Sequence, residues 1–186
     1  YYNGTGVPQD DKEAVKWDRL AAEQGFSAAQ HQLGLQYYIG IGVSEDKKEA
    51  VKWFRLSAEQ GYANAQYDLG HRYRYGNGVP QDYGEAVKWY LLAAEQGVRW
   101  SQRELGHLYR DGEGVLQDYK ESLKWYRLAA EQGDTIAQRI LGGIHKEGRG
   151  VPQNYTLAHM WYNIAAANGF KYAGTNRDDL SKKMTS

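Results

Sequence analysis

The chain has 186 residues, 23 Lys plus Arg balanced by 23 Asp plus Glu, and no cysteine. Zero net charge argues against a surface built for nucleic acid or an anionic membrane, and the missing thiols exclude disulfides, thiolate nucleophiles and cysteine-bound zinc. No run approaches the roughly 18 apolar residues that span a bilayer, and no basic start leading into an apolar run marks a secretory leader.

Tyr and Trp are numerous, 16 and 6, beside 22 Gly and only 3 Pro, which suggests a repeated packing unit with a repeated turn. The tripeptide G-x-G followed by Val begins at Gly4, Gly40, Gly76, Gly112 and Gly148, a 36-residue step with no insertion. Trp17, Trp53, Trp89, Trp125 and Trp161 keep that step, as do Gly25, Gly61, Gly97, Gly133 and Gly169 and the Leu-Gly pairs that begin at Leu33, Leu69, Leu105 and Leu141. Such periodicity specifies stacked helix–turn–helix units, and the expected fold is an all-α, right-handed α-solenoid of 36-residue repeats rather than a four-helix bundle.

In chain order, Tyr1 and Tyr2 read as the remnant of a first helix, so residues 1–25 are expected to be a truncated repeat of a longer array. The helix over Asp10–Gln24 should then leave part of its apolar stripe uncovered, with end-to-end self-association as the alternative. Asp18, where the other copies have Phe54, Tyr90, Tyr126 and Tyr162, suits such an edge. Full repeats follow at 26–61, 62–97, 98–133 and 134–169, and residues 170–186 abandon the ladder as a polar capping helix.

Within a repeat the first helix is predicted over Ala28–Ile39, Ala63–Tyr75, Arg99–Asp111 and Ile136–Glu147. The G-x-G-V loop then turns the chain, stiffened by Pro8, Pro80 and Pro152. The second helix starts at Asp10, Asp46, Asp82, Asp118 or Asn154. Glu13, Glu49, Glu85 and Glu121 follow the aspartates by three residues as an Asp capping box. Ala50, Trp53, Phe54 and Ala58 share one stripe, and Gly70 removes a side chain where a neighbouring helix approaches.

Chemistry is sparse. His145 occupies the slot of Tyr37, Tyr73 and Tyr109, and His71 and His107 hold equivalent positions without a third ligand for a metal. G-x-G follows a helix and recurs, unlike a dinucleotide fingerprint. The acidic row at Glu13, Glu49, Glu85 and Glu121 is explained by capping, and the Trp ladder by core packing rather than by stacking of bases or sugars. No cofactor, metal or catalytic group is implied.

The elements A-x-x-x-L-G (Ala65, Leu69, Gly70), Y-x-x-G-x-G-V-P-Q-D and E-A-V-K-W-Y-x-L-A-A-E-Q-G, which together cover essentially the whole chain, closely resemble the Sel-one-like repeat family of bacterial type, relatives of the tetratricopeptide repeats. The resemblance implies a non-catalytic adaptor or scaffold whose concave face, lined by the first helices, binds a protein. It slightly favours a periplasmic or secreted location. It does not bring over any activity of the cysteine-rich branch of that family.

With Leu69 in the core, Asn64, Tyr67, His71 and Arg74 fall on the opposite side of the first helix. The same columns elsewhere read Ala28, His31, Leu35 and Tyr38; Trp100, Arg103, His107 and Arg110; Ile136, Arg139, Gly143 and Lys146. Partner contacts are therefore expected at Tyr38, Tyr67, His71, Arg74, Trp100, Arg103, His107, Arg110, Arg139 and Lys146, aromatic early and basic later. The expected partner is a protein or peptide with acidic groups and an apolar anchor. The plainer reading is a solvated face whose cations pair with Asp68, Glu104, Asp111 and Glu147. The alternative function is a structural or regulatory segment of a larger secreted bacterial repeat protein whose binding site needs further repeats.

Overall fold

The computed structural model describes residues 10–184 and consists, among these, of ten α-helices with no strand. The fold is the all-helical repeat solenoid that the periodicity predicts. Tyr1, Tyr2, Gly4 and Pro8 lie outside the described residues. The chain divides into two compact units, Tyr1–Val98 and Arg99–Ser186. The first contains α1 (Asp11–Glu23), α2 (Ser27–Ile39), α3 (Lys47–Glu59), α4 (Ala63–Tyr75) and α5 (Tyr83–Glu95). The second contains α6 (Arg99–Asp111), α7 (Tyr119–Glu131), α8 (Thr135–Glu147), α9 (Tyr155–Ala167) and α10 (Ala173–Met184).

The second helix of every repeat starts by one mechanism. Asp10, Asp46, Asp82, Asp118 and Asn154 are extended N-caps whose side chains accept from the backbone N–H three residues on. Only half of the expected capping box forms, however. The N–H groups of Asp46, Asp82, Asp118 and Asn154 donate instead to the carbonyls of Tyr37, Tyr73, Tyr109 and His145, tying each loop closed. The glutamate, with no capping N–H left to bind, takes the lysine one turn ahead, as in Glu49–Lys52 at 2.6 Å and Glu121–Lys124 at 2.8 Å. At the other end of the loop Gly76 adopts φ +67°, the left-handed residue that closes α4. Two residues on, Gly78 meets a different demand, because a Cβ there would sit 2.2 Å from the carbonyl oxygen of Lys47 in the preceding repeat.

Glycine also sets the distance between the paired helices. Phe54, Tyr90, Tyr126 and Tyr162 lay their rings against Gly34, Gly70, Gly106 and Gly142, where an added Cβ would come within 2.5 to 2.9 Å of the ring. The tryptophan beside each ring points elsewhere. Trp53 packs on Val15, Ala22 and Leu33, Trp89 on Ala50, Phe54 and Leu69, and Trp161 on Tyr126, Leu141 and Ile144, each joining its own helix pair to the one before. The predicted single stripe is thus two adjacent faces with different partners. Trp89 and Trp125 retain 6% and 7% of their surface, which places them in the core, whereas Trp17 is 56% exposed.

A buried polar ladder runs beside this core. Gln66 Nε2 donates to the Ala58 carbonyl and its Oε1 accepts from Gln96, and Gln30 does the same with Ala22 and Gln60. In the second unit Gln102 accepts from Gln132, and Gln138 donates to Ala130 and accepts from Asn168. The amides of Gln30, Gln66 and Gln138 each satisfy a helix-terminal carbonyl that packing hides from water.

Candidate protein-binding face

In the first unit the expected residues gather around a side chain absent from the predicted set. Arg72 is buried, with its guanidinium carbon 3.9 Å from the centre of the Tyr38 ring. Its Nη2 lies 3.2 Å from His71 Nδ1, its Nε donates to the Asp68 carbonyl, and its Nη1 has no hydrogen-bond partner. Asp68 in turn holds His31 Nε2 at 2.7 Å, joining α2 to α4. His71 packs against Tyr75 with the ring centres 4.5 Å apart and the planes tilted by 45°, and lies beside Tyr67, whose ring meets Tyr90. Arg74 lies over Tyr75 at 5.4 Å. Tyr38, Tyr67, His71 and Arg74 are all half-buried, so this face is a packed mosaic of ring and guanidinium planes. The sequence signal for Arg72 was its column. Gln36, Arg72, Leu108 and Ile144 differ in polarity at a core position, and the polar copies need local partners, as Gln36 finds in Asp18 at 2.5 Å.

Burial, followed by the neighbouring Arg72 charge, lowers the His71 pKa from 6.5 to about 4. The folded chain thus refuses a proton that the unfolded chain accepts. The stabilisation is complete above 6.5 and is lost as the pH falls through the window from 6.5 to about 4. In urea titrations at about pH 7 and about pH 5, the wild type should lose more stability between the two than His71→Gln does. Equal losses would mean that another group carries the acid sensitivity.

In the second unit the cations have unequal environments. Arg103 is consumed by protein carboxylates, with Nη1 2.9 Å from Asp134 and Nη2 3.1 Å from Glu104. Arg110 forms a forked pair with Asp111 at 2.6 and 2.7 Å. His107 Nδ1 is 2.8 Å from the Tyr126 hydroxyl, and Lys146 is half-buried with its carbonyl accepting from Gln153. Trp100 is 42% exposed beneath the guanidinium of Arg99. Arg139 has no carboxylate within ion-pairing distance among the described residues; its guanidinium carbon lies 5.5 Å from the centre of the Phe170 ring. Arg110 and Arg139, which the sequence placed in different columns, both line a cleft of about 170 Å³ together with Ile140, Gly143, Ile144, Glu147 and Arg149.

The expected pairing partners Asp68, Glu104 and Asp111 are engaged, and Glu147 binds Arg149 at 2.5 Å. Much of the basic character that the sequence suggests is therefore neutralised locally. Among the described residues no group of three His, Asp or Glu converges on a point that would hold a metal ion. No helix among them is long and apolar enough to cross a membrane.

The model of the Sel1 repeat matches residues 1–26, 27–62, 63–98, 101–134 and 135–170. No curated protein sequence matches the chain. Among solved structures, a protective antigen present in uropathogenic Escherichia coli strains, which displays an SLR fold, is 41% identical over the whole chain with a TM-score of 0.96. The chain spans 40% of the length of that antigen. A Sel1 repeat protein from Oxalobacter formigenes is 39% identical over 93% of this chain and 71% of its own, with a TM-score of 0.89. Cysteine-rich protein B of Helicobacter pylori shares the fold, with a TM-score of 0.58 at 21% identity over 71% of this chain and 98% of its own. Five matched repeats and near-coincident backbones establish that the chain belongs to the Sel1 repeat family.

Proposed function

We propose that the chain holds a protein or peptide against the face presented by its first helices, without catalysing a reaction on it. Sel1 repeats are protein-interaction modules built on a non-catalytic scaffold. The observation that carries the finer reading is the contrast between columns. Leu33, Leu69, Leu105 and Leu141 are identical and buried, while the opposite side of the same helices changes chemistry from repeat to repeat. Packing fixes the buried column and leaves the opposite side free to take chemistry that suits a partner. In the first unit that side offers Tyr38, Tyr67, His71 and Arg74, and in the second Trp100, His107, Arg110, Arg139 and Lys146. Aromatic surface beside guanidinium groups is the composition of interface hot spots.

Affinity capture from extracts of the source organism would compare the wild type with Arg74→Glu/Trp100→Ala/Arg139→Glu, leaving out the structural Arg103. Lys52→Glu/Lys88→Glu, on exposed positions of second helices, serves as the control. A partner lost only with the triple variant, at unchanged helical circular dichroism, supports the reading. A partner lost only with the control places the working surface on the second helices. A second reading, that this segment binds only together with further repeats of a larger protein, is favoured by its spanning 40% of the E. coli antigen. It predicts no captured partner for this segment alone.

A further inference from the structure

We propose that the cleft beside Gly143 receives the carboxylate of an acidic side chain from a bound polypeptide, and that Arg139 reads it. This rests on the polypeptide-binding reading above and adds which position is read and by what chemistry.

The case comes from comparing two copies of one arginine. Arg103 and Arg139 occupy the same column of successive first helices, α6 and α8. Arg103 is satisfied from within, by Glu104 at the next position and by Asp134 at the start of the following first helix. Around Arg139 both acids are replaced. Ile140 stands for Glu104, and Phe170, whose ring meets the guanidinium, stands for Asp134. The charge is kept while its two compensating carboxylates are lost.

A second substitution supplies space at the same place. Gly143 lies in the column of Leu35, His71 and His107, and without a side chain it opens the cleft of about 170 Å³. Arg110, Arg149 and Glu147 also line the cleft, but Glu147 is neutralised by Arg149 at 2.5 Å and Arg110 by Asp111 at 2.6 Å, which leaves Arg139 as the lining guanidinium with no carboxylate in ion-pairing distance among the described residues. Ile140 and Ile144 contribute apolar lining. A planar guanidinium fork beside such a wall suits a carboxylate on a short methylene stem, as in Glu or Asp, better than a fully solvated ion.

The experiment needs no natural partner. The full chain, isotopically labelled, is titrated with Nα-acetylglutamate amide while the Arg139 side-chain N–H and the Gly143 amide are followed by NMR. Nα-acetylglutamine amide is the neutral control, and Nα-acetylalanine presents only a terminal carboxylate. The expected result is a saturable shift of both signals with the glutamate probe, in the millimolar range. Arg139→Gln should weaken it by at least roughly tenfold, and Gly143→Leu should abolish it. Gly143→Leu is expected to fold, because a Cβ at this position meets only the Tyr162 hydroxyl, at 3.7 Å, and Leu35 already fills the equivalent site.

Absence of saturation, an equal response to the glutamine probe, or binding retained by Gly143→Leu would overturn the proposal. Tighter binding of Nα-acetylalanine would also overturn it, by showing that the cleft reads chain ends instead of acidic side chains. A chain that binds the glutamate probe as described yet captures no partner would separate failure of the interaction reading from failure of this one.

Discussion

Adding a single methyl group at Gly106 is expected to destabilise the protein by about 2–3 kcal/mol, although alanine is the better helix former by about 1 kcal/mol. The new Cβ would lie 2.5 Å from Cε1 and 2.6 Å from Cδ1 of Tyr126, whose side chain is wholly buried against Ala129 and Ala130. The ring has nowhere to go. Parting α6 from α7 would instead stretch the 2.7 Å bond from Ser122 Oγ to the Gly106 carbonyl, inside a core too dense to absorb an extra carbon without strain. Gly143→Ala is the matched control, placed in the same helical setting on α8 with only the Tyr162 hydroxyl nearby, at 3.7 Å. It should be neutral or stabilising by up to about 1 kcal/mol. Urea unfolding measures both. A Gly106→Ala midpoint equal to that of the wild type would show that the helix pair widens freely and that the glycine ladder has another origin.

Loss of the Asp134 carboxylate is the second large expected effect. Its side chain is 4% exposed, caps α8 through the Ala137 N–H at 2.8 Å, and accepts Arg103 Nη1 at 2.9 Å. Asp134→Ala removes a helix cap and one of the two carboxylates on Arg103, whose side chain keeps only 16% of its surface, so a loss of about 3 kcal/mol follows. Arg103→Met should also destabilise, by leaving the carboxylate buried without its cation. The double variant Arg103→Met/Asp134→Ala should be less damaged than the sum of the two, with a coupling of about 1–2 kcal/mol. Additive losses would mean that Glu104 already satisfies Arg103 and that Asp134 acts only as a cap. Either way, charge reversal at Arg103 is unsuitable as a probe of binding, since it would set a third acid beside Glu104 and Asp134.

The parts of the molecule legible in the sequence are those governed by neighbours one turn away or by the repeat itself. The aspartate caps, the left-handed glycine after each second helix (Gly61 at φ +87°, Gly97 at φ +88°) and the close approach at Gly70 each follow from residue type and spacing, and α4 and α6 occupy the ranges expected of them, Ala63–Tyr75 and Arg99–Asp111. The second arm of the capping box failed for a reason that local spacing does not contain. The capping N–H was already committed to a carbonyl nine residues back, as Asp46 is to Tyr37 at 2.8 Å. The glutamine ladder escaped notice because Gln66 and Gln96 are ordinary helix residues until packing buries them together at 2.7 Å.

By itself, then, the sequence determined the fold class and the helix pairs, because a strict 36-residue period leaves one way to bury the same apolar stripe again and again. It also marked which side of the first helices varies. Only the tertiary structure decided which charges on that side are available. Arg103 and Arg139 are the same residue in the same column, yet one faces Asp134 and the other Phe170, each 31 positions further along the chain and on the following first helix or its approach. Charge compensation acts through space over a few ångströms, so its outcome is set where helices meet and not by what lies next in the chain.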